Sequence, residues 1–90
     1  PPTIERRNNE VIVYSNATKV RLAVSSDCGY AYSQTPLSRD RDGAYHYREK
    51  IADNAILIAE VEATDGAVAT SVPRWPSSCK LKVRPFGPRP

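Results

Sequence analysis

Hydrophobic and polar positions in this chain alternate with a period of two, which is the period of β-strands. Segment 19–25 is an example. Val20, Leu22 and Val24 are apolar, and the residues that alternate with them include Lys19 and Arg21. No stretch of the chain keeps an apolar stripe with the helical period of 3.6 residues. The pattern therefore predicts a protein built from strands.

Turn-forming residues divide the chain into seven candidate strands. Gly66 marks the clearest hairpin, because its position in Thr64-Asp65-Gly66 favours the positive φ that a tight turn requires. Asp42-Gly43 is a second turn signal, at the end of a polar loop over 36–43. The predicted strands are 11–14, 19–25, a third carrying Tyr30 and Tyr32 and ending before Pro36, 44–51, 54–63, 67–72 and 79–84. For 44–51, a single helical turn is the alternative.

Short strands with turns every 8–12 residues or so are typical of antiparallel sandwiches and barrels. We therefore expect an all-β fold, a small antiparallel β-sandwich of immunoglobulin-like type with six to seven strands, or a small closed barrel. Ninety residues suffice for one domain. The expected organisation is an N-terminal extension over 1–10, a β domain over 11–84 and a proline-rich frayed tail over 85–90.

The two cysteines, Cys28 and Cys79, belong to no cluster with metal-ligand or redox spacing. We expect a structural disulfide between them, and with it an oxidising compartment. The chain contains no methionine and begins with Pro1, which is expected of a processed or excised segment and fits secretion. The alternative is a pair of unpaired, buried cysteines in a cytosolic protein.

Catalytic chemistry is restricted by the presence of a single histidine, His46. Together with Arg48 and Glu49 it could cleave RNA, since His and Glu can transfer protons and Arg can stabilise phosphate charge. On a strand, however, Glu49 would lie on the opposite face from the other two. We therefore expect no catalytic residues, with a ribonuclease-like protein as the alternative. The spacing of the carboxylates and the histidine indicates no metal site, and no cofactor is expected.

Trp75 is the strongest candidate for a binding residue. It lies between Arg74 and Pro76 in a loop too rich in proline to be a strand, and rigid exposed tryptophans are favoured at binding hot spots. The alternative is that Trp75 closes the end of the sandwich above the disulfide.

Basic residues on two predicted strands are the second candidate. If those strands are close, the residues form a stripe that attracts an acidic protein, a phosphate or a sulfated glycan. A solvated face that protects a sheet edge is the alternative, and the net charge of +3 does not decide between them. The stripe consists of Lys19, Arg21, Lys80, Lys82 and Arg84.

These features predict a secreted, non-catalytic interaction module, specifically a virulence or defence effector that binds a host protein. Binding would involve Arg74, Trp75, the basic residues and an edge strand that accepts a further strand. The alternatives are an enzyme inhibitor that presents loop 72–77 or 37–43, a subunit of a surface assembly or virion, and a ribonuclease-like RNA-binding protein. We expect a monomer with a protein partner, nucleic acid being the less favoured partner. No membrane span is expected, because the longest apolar run covers only 55–59.

Overall fold

A computed structural model describes residues 1–7 and 9–79 of the protein. Within these residues the chain forms seven strands and one 3₁₀ turn, and no α-helix. The strands are β1 (Thr3–Arg7), β2 (Glu10–Tyr14), β3 (Lys19–Ser25), β4 (Ser33–Leu37), β5 (Tyr45–Tyr47), β6 (Ile56–Glu62) and β7 (Val68–Thr70), and the 3₁₀ turn is Ser77–Cys79.

The strands form two antiparallel sheets that pack face to face. One sheet has the order β1-β2-β5 and the other has the order β4-β3-β6-β7. The core lies between them, formed by alternate residues of the central strands. Its buried members are Val11, Val13 and Tyr45 from the first sheet and Val20, Leu22, Ala59 and Val61 from the second. The predicted sandwich is therefore confirmed, and the sheets are not closed into the alternative barrel.

The pair formed by β3 and β6 is the centre of the larger sheet. Its register runs from Lys19 opposite Glu62 to Ser25 opposite Ile56. These two strands confirm the predictions for 19–25 and, in a shorter form, for 54–63. Their inner faces carry the apolar residues that the alternation indicated.

The third predicted strand was wrong in its position. Tyr30 and Tyr32 precede β4, and Pro36 lies within it rather than after it. Among the described residues, β4 pairs only with β3 and is an edge strand. Proline lacks a backbone N–H but can occupy an edge, where one side of the strand needs no partner.

The ends of the sandwich also differ from the sequence prediction. β1 lies inside the segment 1–10, where the sequence predicted no strand, and it forms a hairpin with β2. The fourth predicted strand is reduced to the three residues of β5, and the helical alternative is not observed there. Cys79 lies in the 3₁₀ turn, while the rest of the predicted strand 79–84 and the tail 85–90 lie outside the described residues.

Two local predictions are confirmed. Gly66 has φ of 88° in the turn between β6 and β7, and Cys28 forms a disulfide with Cys79 across a Cα–Cα distance of 5.3 Å. The disulfide links the loop after β3 to the 3₁₀ turn. No helix in the described part of the chain has the length and hydrophobicity needed to span a membrane.

Candidate functional site

The segment from Ser71 to Cys79 is fixed at both ends. The backbone N–H of Ser71 donates to the carbonyl oxygen of Ala59 at 2.9 Å, and the Ala59 N–H donates to Ser71 Oγ, also at 2.9 Å. At the other end, Cys79 is held by the disulfide and donates its N–H to the Pro76 carbonyl. The loop between them is therefore attached to the sheet on one side and to the disulfide on the other.

Trp75 lies on this loop and packs over the disulfide-bonded turn. A Cβ atom added to Gly29 would lie 3.2 Å from Trp75 Cζ3 and 3.3 Å from the hydroxyl of Tyr32. Trp75 as a whole nevertheless keeps 36% of its surface exposed. The ring therefore packs near the disulfide and still presents a face to solvent, and its role in binding stays a prediction.

The exposed face of Trp75 borders a cleft of about 700 Å³. The cleft is lined by Val72 and Arg74 of the Trp75 loop (71–79) and by Ile4 and Arg6 of β1. The guanidinium of Arg6 is held in place, because Nη2 donates to the carbonyl oxygens of residues 51 and 52 at 2.9 and 3.0 Å. The cleft thus joins the predicted binding residues to a strand that the sequence did not predict.

The cleft lies beside β1. Pro1 and Pro2, which precede the strand, line it together with Thr3 and Ile4. Ile4 is paired with the core residue Val13 and Thr3 with the exposed Tyr14, so the cleft is lined by residues from both faces of the strand. Within residues 1–7 and 9–79, β1 pairs with β2 alone, so its other edge offers backbone hydrogen-bonding groups to a ligand.

The predicted basic stripe is only partly described. Lys19 Nζ lies 3.8 Å from Glu62, and the Arg21 guanidinium lies 3.6 Å from both Glu60 and Glu62. These two cations face acidic residues of the neighbouring strand β6, which reduces the positive potential of that face. Lys80, Lys82 and Arg84 lie outside the described residues, so the stripe stays a prediction.

A second group of polar side chains surrounds His46 on the outer face of the smaller sheet. His46 Nδ1 lies 3.0 Å from Glu10 Oε2, and Nε2 lies 2.8 Å from Asp42 Oδ2 and 3.8 Å from Asp40 Oδ2. Arg48 Nη2 donates to Asp40 Oδ2 at 2.7 Å, and Arg48 Nε lies 3.3 Å from Glu10. We call these five residues, Glu10, Asp40, Asp42, His46 and Arg48, the His46 cluster.

The contacts within the His46 cluster shift the pKa values of His46, Asp40 and Asp42, in each case in favour of the charged form. Hydrogen bonds to Glu10 and Asp42 raise the pKa of His46 above its ordinary value. The Arg48 hydrogen bond lowers the pKa of Asp40. The pKa of Asp42 is lowered by the backbone N–H of Ala44 and then by His46.

The ribonuclease alternative stays a prediction, and it would require the side-chain pairs around His46 to open. Both ring nitrogens of His46 face carboxylates, so no imidazole nitrogen is free to accept a substrate proton. Arg48 is already paired with Asp40 and Glu10, which weakens its attraction for a phosphate. Glu49 is exposed and takes no part in these contacts.

The sequence analysis missed the carboxylates of the His46 cluster. Glu10 and His46 are 36 positions apart, and they meet because β2 pairs with the non-consecutive strand β5, with Ile12 opposite His46. A local signal existed, since Asp40, Asp42 and His46 share one short hairpin. Without the turn geometry, that spacing matched no metal-ligand pattern.

Comparisons of the chain with protein-family models, with curated proteins and with solved structures give no match. The cleft and the His46 cluster are therefore the observations from which function is argued.

Proposed function

We propose that the protein is a non-catalytic interaction domain that binds an extended segment of a partner protein in the cleft between β1 and the Trp75 loop. The observation that carries the proposal is the position of a half-exposed tryptophan beside a free strand edge. Strand addition would supply backbone hydrogen bonds, and the cleft would select side chains.

The Trp75 loop suits this role because it is already held in place before a partner binds. Loops that become ordered on binding lose conformational freedom, and this loss opposes association. Here Ser71 and the disulfide fix the two ends of the loop, and Pro73 and Pro76 restrict the backbone between them. Packing against Gly29 holds the indole itself.

The charges around the cleft favour a partner segment that has an acidic residue next to an apolar one. Arg74 is exposed at the cleft and can pair with a carboxylate bidentately. Asp53 reduces this potential only weakly, because it is fully exposed and 4.0 Å from the Arg6 guanidinium. An apolar side chain of the partner would pack on the indole.

The wider biological role that we propose is that of a secreted effector acting as a monomer on a host protein. The disulfide supports an oxidising compartment, because such bonds persist outside the reducing cytosol. We predict the host protein only by the chemistry of the segment that it contributes, which is extended and carries an acidic residue next to an apolar one.

Replacing Trp75 with alanine is expected to weaken peptide binding by about 30-fold or more, because aromatic anchors of this kind contribute about 2 kcal/mol or more. Ligands would be selected from a library of short random peptides on the intact disulfide-bonded chain. Trp75 is the sole tryptophan, so its fluorescence reports binding in the wild type, and calorimetry compares the variants.

Tyr14→Ala is the matched control, since Tyr14 is an aromatic residue of similar exposure on β2 that does not line the cleft. Arg74→Glu removes no apolar packing and should still reduce the affinity for acidic peptides by about tenfold. Thermal melting confirms that the variants are folded. Selected peptides that bind Trp75→Ala and Arg74→Glu as tightly as the wild type would contradict the proposal.

Enzyme inhibition is a second candidate function, favoured by one observation. Val72 is 88% exposed although it directly follows the buried, hydrogen-bonded Ser71. An apolar side chain on a loop fixed at both ends resembles the way in which inhibitors present a residue to a protease pocket. This candidate predicts inhibition of a protease with an apolar specificity pocket, and a loss of about tenfold or more for Val72→Asp. Equal inhibition constants for the wild type and Val72→Asp would exclude this candidate.

A further inference from the structure

We propose that His46 is a pH-sensitive bridge, which ties the turn 40–44 to strand β2 while the imidazole carries two protons and loosens the turn when one proton is lost. His46 Nδ1 lies 3.0 Å from Glu10 Oε2, and Nε2 lies 2.8 Å from Asp42 Oδ2. Ionised carboxylates can only accept hydrogen bonds. Both ring nitrogens therefore carry a proton in this arrangement, and the imidazolium joins Glu10 of β2 to Asp42 of the turn.

A second turn of the same construction, 63–67, shows what the bridge adds. Both turns end in Asp-Gly-Ala. In each, the N–H of the first residue donates to the carbonyl of the last, at 2.7 Å in 40–44 and 2.8 Å in 63–67. The aspartate of each turn accepts the N–H of the alanine, at 2.9 and 3.0 Å. His46 faces the aspartate of the first turn, whereas the equivalent position of the second is Ala69. The histidine is thus added to a turn that closes without it.

Loss of either proton from His46 would break the bridge. A lone pair of the ring would then face a carboxylate oxygen at hydrogen-bond distance, which is a repulsive contact. The His46 side chain is only 9% exposed, so water has little access to replace the missing donor. The Asp42 side chain is 59% exposed and can be hydrated instead. The Asp42 carboxylate would therefore move away from the ring, and the turn would lose its connection to β2.

The charges that face His46 favour the protonated ring. Glu10 and Asp42 contact its two nitrogens, and Asp40 Oδ2 lies 3.8 Å from Nε2. Arg48 opposes protonation, but its guanidinium is paired with Asp40 and Glu10. The pKa of His46 is accordingly raised, chiefly by the hydrogen bonds to Glu10 and Asp42.

The other charged groups near this face are paired among themselves or with the backbone. On β1, the second neighbour of β2, Arg7 Nε donates to Glu5 at 2.9 Å, and the Tyr14 hydroxyl donates to the same carboxylate at 2.8 Å. Arg39 donates to the Gly43 carbonyl at 2.9 Å. Because the arginine does not titrate in the physiological range, it holds the base of the turn at every pH, and only the His46 bridge responds.

The bridge is expected to stabilise the fold in mild acid. The pKa of His46 is higher in the folded chain than in the unfolded chain, where it is about 6.5. Its contribution is therefore fully present below about pH 6.5 and is lost as the pH rises through the folded pKa. The pKa values of Asp40 and Asp42 are lowered, so their contribution is present above about pH 4 and is lost as the pH falls through their folded pKa values. The turn is thus held most firmly between these limits.

Amide hydrogen exchange measured by NMR against pH tests the bridge, with the second turn as internal control. His46 is the only histidine, so its ring resonances report a single titration. The protection factors of the Asp40 and Gly43 amides, corrected for intrinsic exchange, should fall across that titration by up to about tenfold per pH unit. Those of Ala63 and Gly66, which make the same bonds in turn 63–67, should stay constant. Equal changes in both turns, or no change in either, would overturn the proposal.

Two variants change the response of the turn to pH in different ways. His46→Gln cannot gain or lose the proton, so its turn 40–44 should show the same protection at all pH values above about 5. In Asp42→Asn, the amide oxygen can keep the bond to the Ala44 N–H while the amide NH₂ donates to Nε2. A neutral His46 would then complete the bridge, and protection should no longer fall as the ring loses its proton.

Glu10→Gln tests the other end of the bridge. Removal of this carboxylate should lower the titration midpoint of His46 toward its ordinary value, because the largest cause of the raised pKa is lost. Glu49→Gln, a nearby exposed carboxylate outside the cluster, should titrate like the wild type. Wild-type titration of His46 in folded Glu10→Gln, or wild-type pH dependence of protection in Asp42→Asn, would contradict the proposed bridge.

Discussion

Removing the disulfide by the double replacement Cys28→Ala/Cys79→Ala is expected to lower the free energy of unfolding by about 4 kcal/mol. The bond joins residues 51 positions apart, and closing a loop of that length restricts the unfolded chain by about this amount in the chain-entropy account. Alanine is preferred to serine because Cys79 is fully buried and a buried hydroxyl would add a separate penalty. Urea unfolding followed by Trp75 fluorescence gives the value.

The magnitude is large for this domain, because a chain of ninety residues is expected to have only about 5–13 kcal/mol of stability in total. Wild type treated with a reductant should unfold at the same urea concentration as the double variant, and the double variant should not respond to the reductant. A difference below about 1 kcal/mol between variant and oxidised wild type would contradict the chain-entropy account, because native-state strain or residual structure in the unfolded chain would then offset the restriction.

The disulfide variant also tests the cleft. Cys79 is one of the two attachments of the Trp75 loop, so its loss frees that end while Ser71 still holds the other. In low denaturant, where the variant is folded, selected peptides should bind more weakly than to the wild type, because the loop must then be ordered on binding. Stability and affinity would thus fall together through one bond.

The central part of the fold could be predicted from the sequence because its signals are local. Strands β2, β3 and β6 each bury alternate or consecutive apolar residues, and the turn at Gly66 fixes the hairpin to β7. The disulfide followed from the cysteine count. These features needed no knowledge of which strands are neighbours.

The edge strands β1 and β4 could not be predicted in the same way. Three of the five residues of β1, Thr-Ile-Glu-Arg-Arg, are charged, and the segment forms a strand by pairing with β2. Pro36 indicated an end to a strand, but an edge position removes the need for its N–H. Edge strands obtain their conformation from the sheet, so their own residues carry a weak signal.

The candidate sites also combine features that the sequence indicates locally with features that depend on strand pairing. Trp75 and Arg74 could be selected from residue type and loop composition, whereas the cleft requires β1 as its second wall. The His46 cluster requires the pairing of β2 with β5, which no local pattern indicates. The sequence therefore pointed to two candidate binding side chains, and the pairing of strands showed what surrounds them.

Replacing Tyr45 with alanine is expected to lower the free energy of unfolding by about 4 kcal/mol, in the range found for aromatic residues removed from a core. Tyr45 is 1% exposed and is the largest fully buried side chain of the described residues. It projects from the three-residue strand β5 into the core cluster between the sheets. The cavity left by alanine would open where β5 has few other contacts to hold it.

Tyr45→Phe separates ring packing from the hydroxyl group. The Tyr45 hydroxyl donates to the carbonyl oxygen of Ala17, but Arg39 Nη2 donates to the same oxygen at 2.8 Å. Removal of the hydroxyl therefore leaves that carbonyl paired, and we expect a loss of about 1 kcal/mol or less. Chemical denaturation of both variants measures the two contributions.

The same pair of variants connects the core to the His46 cluster. Tyr45 is adjacent to His46 in β5, and the Arg39 guanidinium lies over the Tyr45 ring. Arg39 also donates to the carbonyl oxygens of Gly43 and Ala17, so it attaches the loop that carries Asp40 and Asp42. Tyr45→Phe keeps the ring and should leave the NMR chemical shifts of His46 close to those of the wild type, whereas folded Tyr45→Ala should change them because this loop loses its support. If Phe and Ala were equally destabilising, the hydroxyl bond rather than the ring would hold β5 in place.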